Sequence, residues 1–324
     1  MRLHITVVRL MIAFGFAAGL SMASSSFFRV TGASGESPDP QPELGPLAIF
    51  PADNPWNRPV DNLPVHPNSQ KLVESIGLDR PLHPDFGTVY NGAPNGIPYS
   101  VVSGEQPKVP IEFEYGHESD PGPYPIPANA AIEGGPRATG DRHLIVIDAE
   151  NKKLYELYNA FPLETGWRAG SGAIFDLTTN KLRPSGWTSA DGAGLPIFPG
   201  LVRYDEVVTQ GEIRHALRFT CRRTRRAYIP PATHFASRLT DPNLPPMGLR
   251  LRLRAGFDDS PFPPQARVIV RALKKYGLIL ADNGSDWFIS GAPHPQWDDH
   301  DLHSLKRIKG REFEAVTTGD VIAP

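Results

Sequence analysis

From Leu249 to Ala255 the chain reads LRLRLRA, leucine and arginine alternating with the period of a β-strand. The spacing predicts a strand with the leucines inward and Arg250, Arg252 and Arg254 outward. RHLIVID (142–148) and KLYELYNA (153–160), separated by AENK, predict a hairpin. A second hairpin is predicted for VRYDEVV (202–208) and EIRHALRFT (212–220), joined across TQG. PYSVV, VPIEFEY, LILA and WFIS are shorter strand-like runs, the last two on either side of the turn DNGSD. The period becomes helical in PPQARVIVRALKKY (263–276), where Val268, Ile269, Ala272, Leu273 and Tyr276 share one face. Lys274 and Lys275 suit the end of that helix and Gly277 stops it. A short helix is predicted over 68–76, capped by Asn68, striped by Leu72, Val73 and Ile76, and ended by Gly77.

No internal repeat of fixed period is present. Short strands, long loops and 35 prolines together predict a mainly β fold, a β-sandwich or jelly-roll-like single domain, in preference to a doubly wound sheet.

The ends change the picture in one respect. Arg2 and Arg9, an apolar run from Leu10 to Leu20, and small residues at Ser21 and Ala23 have the layout of a secretory signal over 1–23. The apolar run is shorter than the roughly 20 residues that a spanning helix needs. The expected location is therefore secreted, periplasmic or extracellular, with no membrane attachment after signal removal. Residues 24–46, rich in Ser, Gly, Pro and Glu, are expected to form a flexible linker, 47–318 the domain and 319–324 a tail. The single cysteine, Cys221, excludes an internal disulfide, and its phase with Leu217 and Phe219 predicts a buried small hydrophobe.

The formal net charge is −2, and loss of Arg2 and Arg9 with the signal takes it to −4. No nucleic-acid partner is expected from that balance. Locally the distribution is uneven: Arg214 to Arg254 contains ten arginines against one acid, Asp241. Such a stretch suits an acidic polymer such as a uronic-acid polysaccharide, or arginines on strand faces paired with neighbouring acids.

Candidate chemistry gathers in SGWTSADGAGLPIFPGLVRYDEV (185–207), a shaped loop leading into a predicted strand. Glycoside hydrolysis needs one carboxyl protonated as acid and one ionised as base or nucleophile. Asp191, Asp205 and Glu206 are the candidates in this block. As strand neighbours, Asp205 and Glu206 face opposite ways, Asp205 beside Arg203 and Glu206 beside Tyr204, so only one serves a given groove. Glu156 shares its face with Tyr158 and apolar Leu154; burial would raise its pKa and suit it to acid catalysis, while cross-strand pairing with an arginine is the plainer role. His215 is a candidate base or a structural histidine. Trp187, Arg203, Tyr158, His234, Asp282, Asn283 and Trp287 are candidate sugar-binding residues, through aromatic faces and hydroxyl-bonding groups. HPQWDDHDLH (294–303) has metal-like content without an established zinc spacing. A calcium or transition-metal ion there competes with a solvated turn before a helix, and no cofactor is firmly implied.

RAGSGAIFDLTTNKLRPSGWTSADGAGLPIFPGLVRYDEV and FPPQARVIVRALKKYGLILADNGSDWFISGAP resemble blocks of a group of uncharacterised exported bacterial proteins. The resemblance spans about residues 50–316, implies one indivisible secreted domain and transfers no catalytic residue. The expectation is a secreted carbohydrate-active enzyme, foremost a monomeric glycoside hydrolase that cleaves a polysaccharide with a carboxylate pair. The alternatives are a polysaccharide lyase on a uronic-acid polymer and a non-catalytic carbohydrate-binding or cell-surface module.

Overall fold

Leu144 to Asp148 is apolar on both sides, and both sides are buried. Ile145 and Ile147 join the main core, whereas Leu144 and Val146 join a second cluster with Tyr124, Tyr155 and Leu157. Strand geometry sends successive side chains to opposite faces, so the continuous run LIVI marks a strand covered twice. The computed structural model describes residues 39–42, 44 and 47–323. These all belong to one compact unit, Gly35–Pro324. The signal expected over 1–23 and most of the linker lie outside the described residues. Within the linker, Gln41 accepts from the Tyr99 amide at 2.9 Å, so the segment touches the domain there.

The fold is mainly β. A four-stranded sheet has the order Ser171–Asp176, Lys153–Tyr158, Leu144–Asp148, Tyr99–Val102, with its last pair parallel and the others antiparallel. The predicted 142–160 hairpin is its centre. A mixed six-stranded sheet has the order His83–Asp85, Phe288–Ser290, Leu217–Cys221, Leu278–Asn283, Arg250–Leu253, Phe313–Val316. Leu217–Cys221 runs parallel to Leu278–Asn283 and antiparallel to Phe288–Ser290. One contiguous core draws Ile145, Ile147, Leu154 and Ala173 from the smaller sheet and Leu217, Phe219, Leu251 and Leu280 from the larger. Cys221 is buried in that core, and burial pushes its thiol pKa up. The helix Pro264–Lys275 packs Ala266, Ile269, Val270 and Leu273 inward, and Ser69–Ile76 packs Leu72, Val73 and Ile76. Both predicted helices are present within a residue or two.

Two expectations are corrected. VRYDEVV is no strand: Asp205–Gln210 forms a π-helical turn closed by Gly211 at φ 69°. Arg203 and Glu206, three apart, pair across that turn, which an extended chain would prevent. Leu217–Cys221 therefore finds its partners elsewhere in the sheet. Arg250 and Arg252, expected outward and wet, are buried at 3% and 9% exposure, and only Arg254 is exposed. The alternation holds, but both polar positions are covered by residues 55–63. Arg250 donates to the carbonyls of Pro55, Arg58 and Tyr276, and Arg252 to those of Val60, Asp61 and Leu63 while pairing with Glu314. The tail meets the domain at Ile322, which exchanges backbone hydrogen bonds with Tyr228 at 2.8 and 2.9 Å.

Candidate functional site

The loop 185–195 is fastened by its own polar residues. Ser189 Oγ donates to the Leu195 carbonyl at 2.6 Å and accepts from the Asp191 amide at 2.9 Å, and Ser171 Oγ donates to the Ser189 carbonyl at 2.6 Å. Gly194, at φ 73°, turns the chain where a Cβ would meet Thr233 and the Trp187 carbonyl. This loop forms one side of a cleft of about 520 Å³. Tyr115, Glu118, Asp141, Tyr158, His234, Asp282 and Asn283 also line it.

Asp191 lies at the floor. Its carboxylate is fully buried and bidentate to Arg218, with Nε–Oδ2 and Nη2–Oδ1 both 2.7 Å, while Arg218 Nη1 donates to Ser290 Oγ at 2.7 Å. Both oxygens are thus occupied by a guanidinium fork. Asp282, at the end of its strand, accepts from the Gly192 amide at 3.0 Å and the Asn283 amide at 2.7 Å. Burial pushes its pKa up to about 7, and the negative charge of Asp191 and a hydrogen bond to it add to the shift against the opposing pull of Arg218. A Cβ on Gly192 would collide with the Asp282 carboxyl, so this close approach needs glycine.

The Gly192 carbonyl accepts from His234 Nδ1 at 2.8 Å. A carbonyl can only accept, so His234 Nδ1 carries a proton. One residue, Gly192, therefore touches both Asp282 through its amide and His234 through its carbonyl. Below the loop, His143 meets acceptors on both nitrogens, Glu133 Oε2 at 2.7 Å and the Ala190 carbonyl at 3.2 Å. Burial lowers the His143 pKa, but the Glu133 charge and hydrogen bond outweigh it and hold the ring at about 9, so it is an imidazolium. Glu118 accepts from the Thr188 amide at 3.2 Å. The Asp141 side chain is exposed and has no hydrogen bond or ion pair among the described residues. Burial raises the Tyr158 pKa, and the charges of both Asp141 and Asp282 add to the shift.

Of the residues singled out in the sequence, Asp191, Tyr158, His234, Asp282 and Asn283 meet at this cleft. The others lie elsewhere. Asp205 borders a separate hollow of about 310 Å³ with Tyr204, Thr209 and His294, where burial raises its pKa. Glu206 is buried between Arg203 and His215, with His215 Nε2 at 3.1 Å and Nδ1 2.8 Å from the Ala216 carbonyl. Burial of Glu206 raises its pKa, but the Arg203 and His215 contacts outweigh this and lower it. Glu156 is fully buried and accepts from the amides of Ile197 and Phe198 at 2.9 and 2.8 Å; burial drives its pKa up to about 7. No substrate reaches it there. Trp187 is half-buried beside Arg183, with its carbonyl accepting from Thr233, and is not in the cleft lining. Trp287 is fully buried, stacked between Phe219 and Phe313, and offers no face to a sugar.

The acids of 294–303 have structural partners. Asp298 caps the helix Asp299–His303, Asp301 accepts from the Gln265 and Ala266 amides, and Asp299 bonds Thr88. Among the described residues no group of three His, Cys, Asp or Glu is arranged to hold a metal. Tyr115, Glu118, Asp141 and the His143–Glu133 pair escaped the sequence reading. Asp141 sits beside the predicted 142–148 strand, but nothing in its spacing announced a free carboxylate. No family model matches the chain, and neither curated proteins nor solved structures give a match.

Proposed function

We propose that this protein is an exported glycoside hydrolase acting on a neutral polysaccharide, with Asp282 as general acid and Asp141 as its carboxylate partner. One observation carries the reading: the cleft lining holds both a carboxyl whose pKa is raised to about 7, Asp282, and an exposed carboxyl with no hydrogen bond or ion pair among the described residues, Asp141. A carboxyl held protonated near neutrality is suited to give a proton, and a second carboxyl in the same cleft can take one or attack. In the reaction the Asp282 proton passes to the glycosidic oxygen as the C–O bond breaks. Asp141 either deprotonates the attacking water or attacks the anomeric carbon itself. Asp191 is a positioning residue, since its oxygens are held by Arg218 and its charge keeps Asp282 protonated. Tyr115, 44% exposed, supplies an aromatic face for a sugar ring. The body that carries the cleft is read as sandwich-like, on the support of the core shared between the two larger sheets.

The lyase reading keeps one observation in its favour, the presence of both His234 and Tyr158 in the cleft lining. Against it, the lining contains no Lys or Arg to neutralise a uronate and includes Glu118, Asp141, Asp191 and Asp282. Of the arginines that suggested an acidic polymer, Arg218, Arg250 and Arg252 have internal partners. The test is incubation with neutral and uronic polysaccharides, measuring new reducing ends and unsaturated sugars. Reducing ends from a neutral polymer without unsaturation are expected. Unsaturated ends would move the protein to the lyases, and retention on a polymer without cleavage would leave a binding module.

A further inference from the structure

Away from the cleft, residues 55–63 and the two prolines at 230 and 231 enclose a second cavity of about 160 Å³. Its wall is apolar, made by Pro55, Pro59, Val60, Leu63, Pro230 and Pro231. Its polar lining is Arg58, Arg250, Thr317 and Thr318, with no acid among them. Arg250 is buried, its terminal nitrogens bond only carbonyl oxygens, and its Nε has no partner. Among the other buried arginines Arg218, Arg203, Arg252 and Arg183 each pair with a carboxylate, while Arg142, like Arg250, bonds only carbonyls but lines no cavity with a second cation among the described residues. Arg58 is exposed, and its side chain makes no hydrogen bond or ion pair among the described residues. A buried cation without a counter-charge is costly, and a second unpaired cation beside it adds to the cost. Burial and the Arg58 charge accordingly lower the Arg250 pKa to about 9.

We propose that this cavity binds a small carboxylate with a compact apolar body, its anionic end held by Arg58 and the Thr317 and Thr318 hydroxyls, with Arg250 behind. The apolar body would lie against the prolines, Val60 and Leu63. The volume is close to the roughly 150 Å³ that accepts one benzene in an apolar cavity, which sets the ligand at a single ring or a short branched chain. Two cations and no acid select for a negative end, and charge-assisted bonds to a guanidinium are the strong ones. The ligand class is distinct from the polymer of the cleft, and the two linings share no residue.

Benzoate, benzyl alcohol and inorganic phosphate are the probes, titrated calorimetrically into the full chain and into Arg58→Gln. Arg58 is exposed and outside the cleft, so this variant is expected to fold and to keep any polysaccharide cleavage. Saturable benzoate binding is expected, with benzyl alcohol about tenfold weaker or more and Arg58→Gln weakening benzoate by about tenfold. The proposal is overturned by no saturable benzoate binding at millimolar concentration, by equal affinity for benzyl alcohol, or by an unchanged benzoate affinity in Arg58→Gln. Phosphate binding tighter than benzoate would equally reject the apolar-bodied class. Loss or absence of polysaccharide cleavage has no bearing on these outcomes, so the two readings fail separately.

Discussion

Asp191 with Arg218 and Glu206 with Arg203 are two buried carboxylate–guanidinium pairs, each with a third titratable group beside it. In the first the neighbour is Asp282, half-exposed to a cleft; in the second it is His215, buried with its ring nitrogens satisfied. The surroundings of the third group separate them. A histidine beside Glu206 adds a favourable partner and lowers the Glu206 pKa. A carboxyl beside Asp191 meets a like charge and is kept protonated, a state useful only where a substrate can collect the proton. Glu156 sharpens the lesson, since it also reaches about 7 but is sealed from solvent. Burial pushes all three upward, the Arg203 and His215 contacts reverse the shift at Glu206, and access to the cleft separates Asp282 from Glu156.

The largest effect should come from Asp282→Asn. The amide side chain can still accept from Gly192 and can donate to Asp191, yet it has no proton to transfer. Turnover should fall about 10²- to 10⁴-fold with the melting temperature unchanged or raised; retained turnover would erase the contrast between the two pairs. Glu206→Gln should do the reverse. Leaving Arg203 without its charge partner should cost about 3 kcal/mol in urea unfolding, while the remaining folded protein turns over at the normal rate.

Glu156 and Asp282 both have folded-state pKa values raised from the ordinary carboxylate range to about 7. Between those values the native state holds protons that the unfolded chain has released. Their contribution to stability is therefore full below about pH 4 and lost as pH rises through about 7. Glu156→Gln should flatten part of this decline and stabilise the protein at pH 8 by about 2 kcal/mol, with activity unaltered. A wild-type-like pH profile of stability would reject the burial argument. Under the hydrolase reading, activity itself has an alkaline limb near pH 7, and Asp191→Asn should move that limb to lower pH by removing the like charge. An unmoved limb in the folded variant would show that Asp191 does not set the state of Asp282. Gly192→Ala should have the smallest effect, a loss of about tenfold in kcat as the added methyl displaces the Asp282 carboxyl.

The elements that periodicity governs were readable. The helix predicted over 263–276 spans Pro264–Lys275, and the LIVI and KLYELY runs form the expected hairpin. What failed was the inference from polarity to solvent. Arg250 and Arg252 occupy the predicted alternate face, but a covering segment far away in sequence supplies carbonyls that replace water. VRYDEVV reads as a strand, and the Arg203–Glu206 spacing and Gly211 are the cues to the π-helical turn that this reading leaves unused. About a third of the cleft lining was singled out from the sequence, Asp191, Tyr158, His234, Asp282 and Asn283, the first from its place in a shaped loop and the others as groups that could bind a sugar. Their meeting was not: Gly192 and Asp282 are 90 residues apart, and only the sheet brings them into contact.

The arginine forks over residues 55–63 have a consequence for how that segment is registered. An apolar cover on a sheet of leucines tolerates sliding, because one methyl surface resembles the next. Here the carbonyls of Pro55, Arg58, Val60, Asp61 and Leu63 each point at a guanidinium N–H of fixed direction. A shift of one residue would turn several of these oxygens away together, so the strand reads the covering segment as a key reads a lock, by discrete notches.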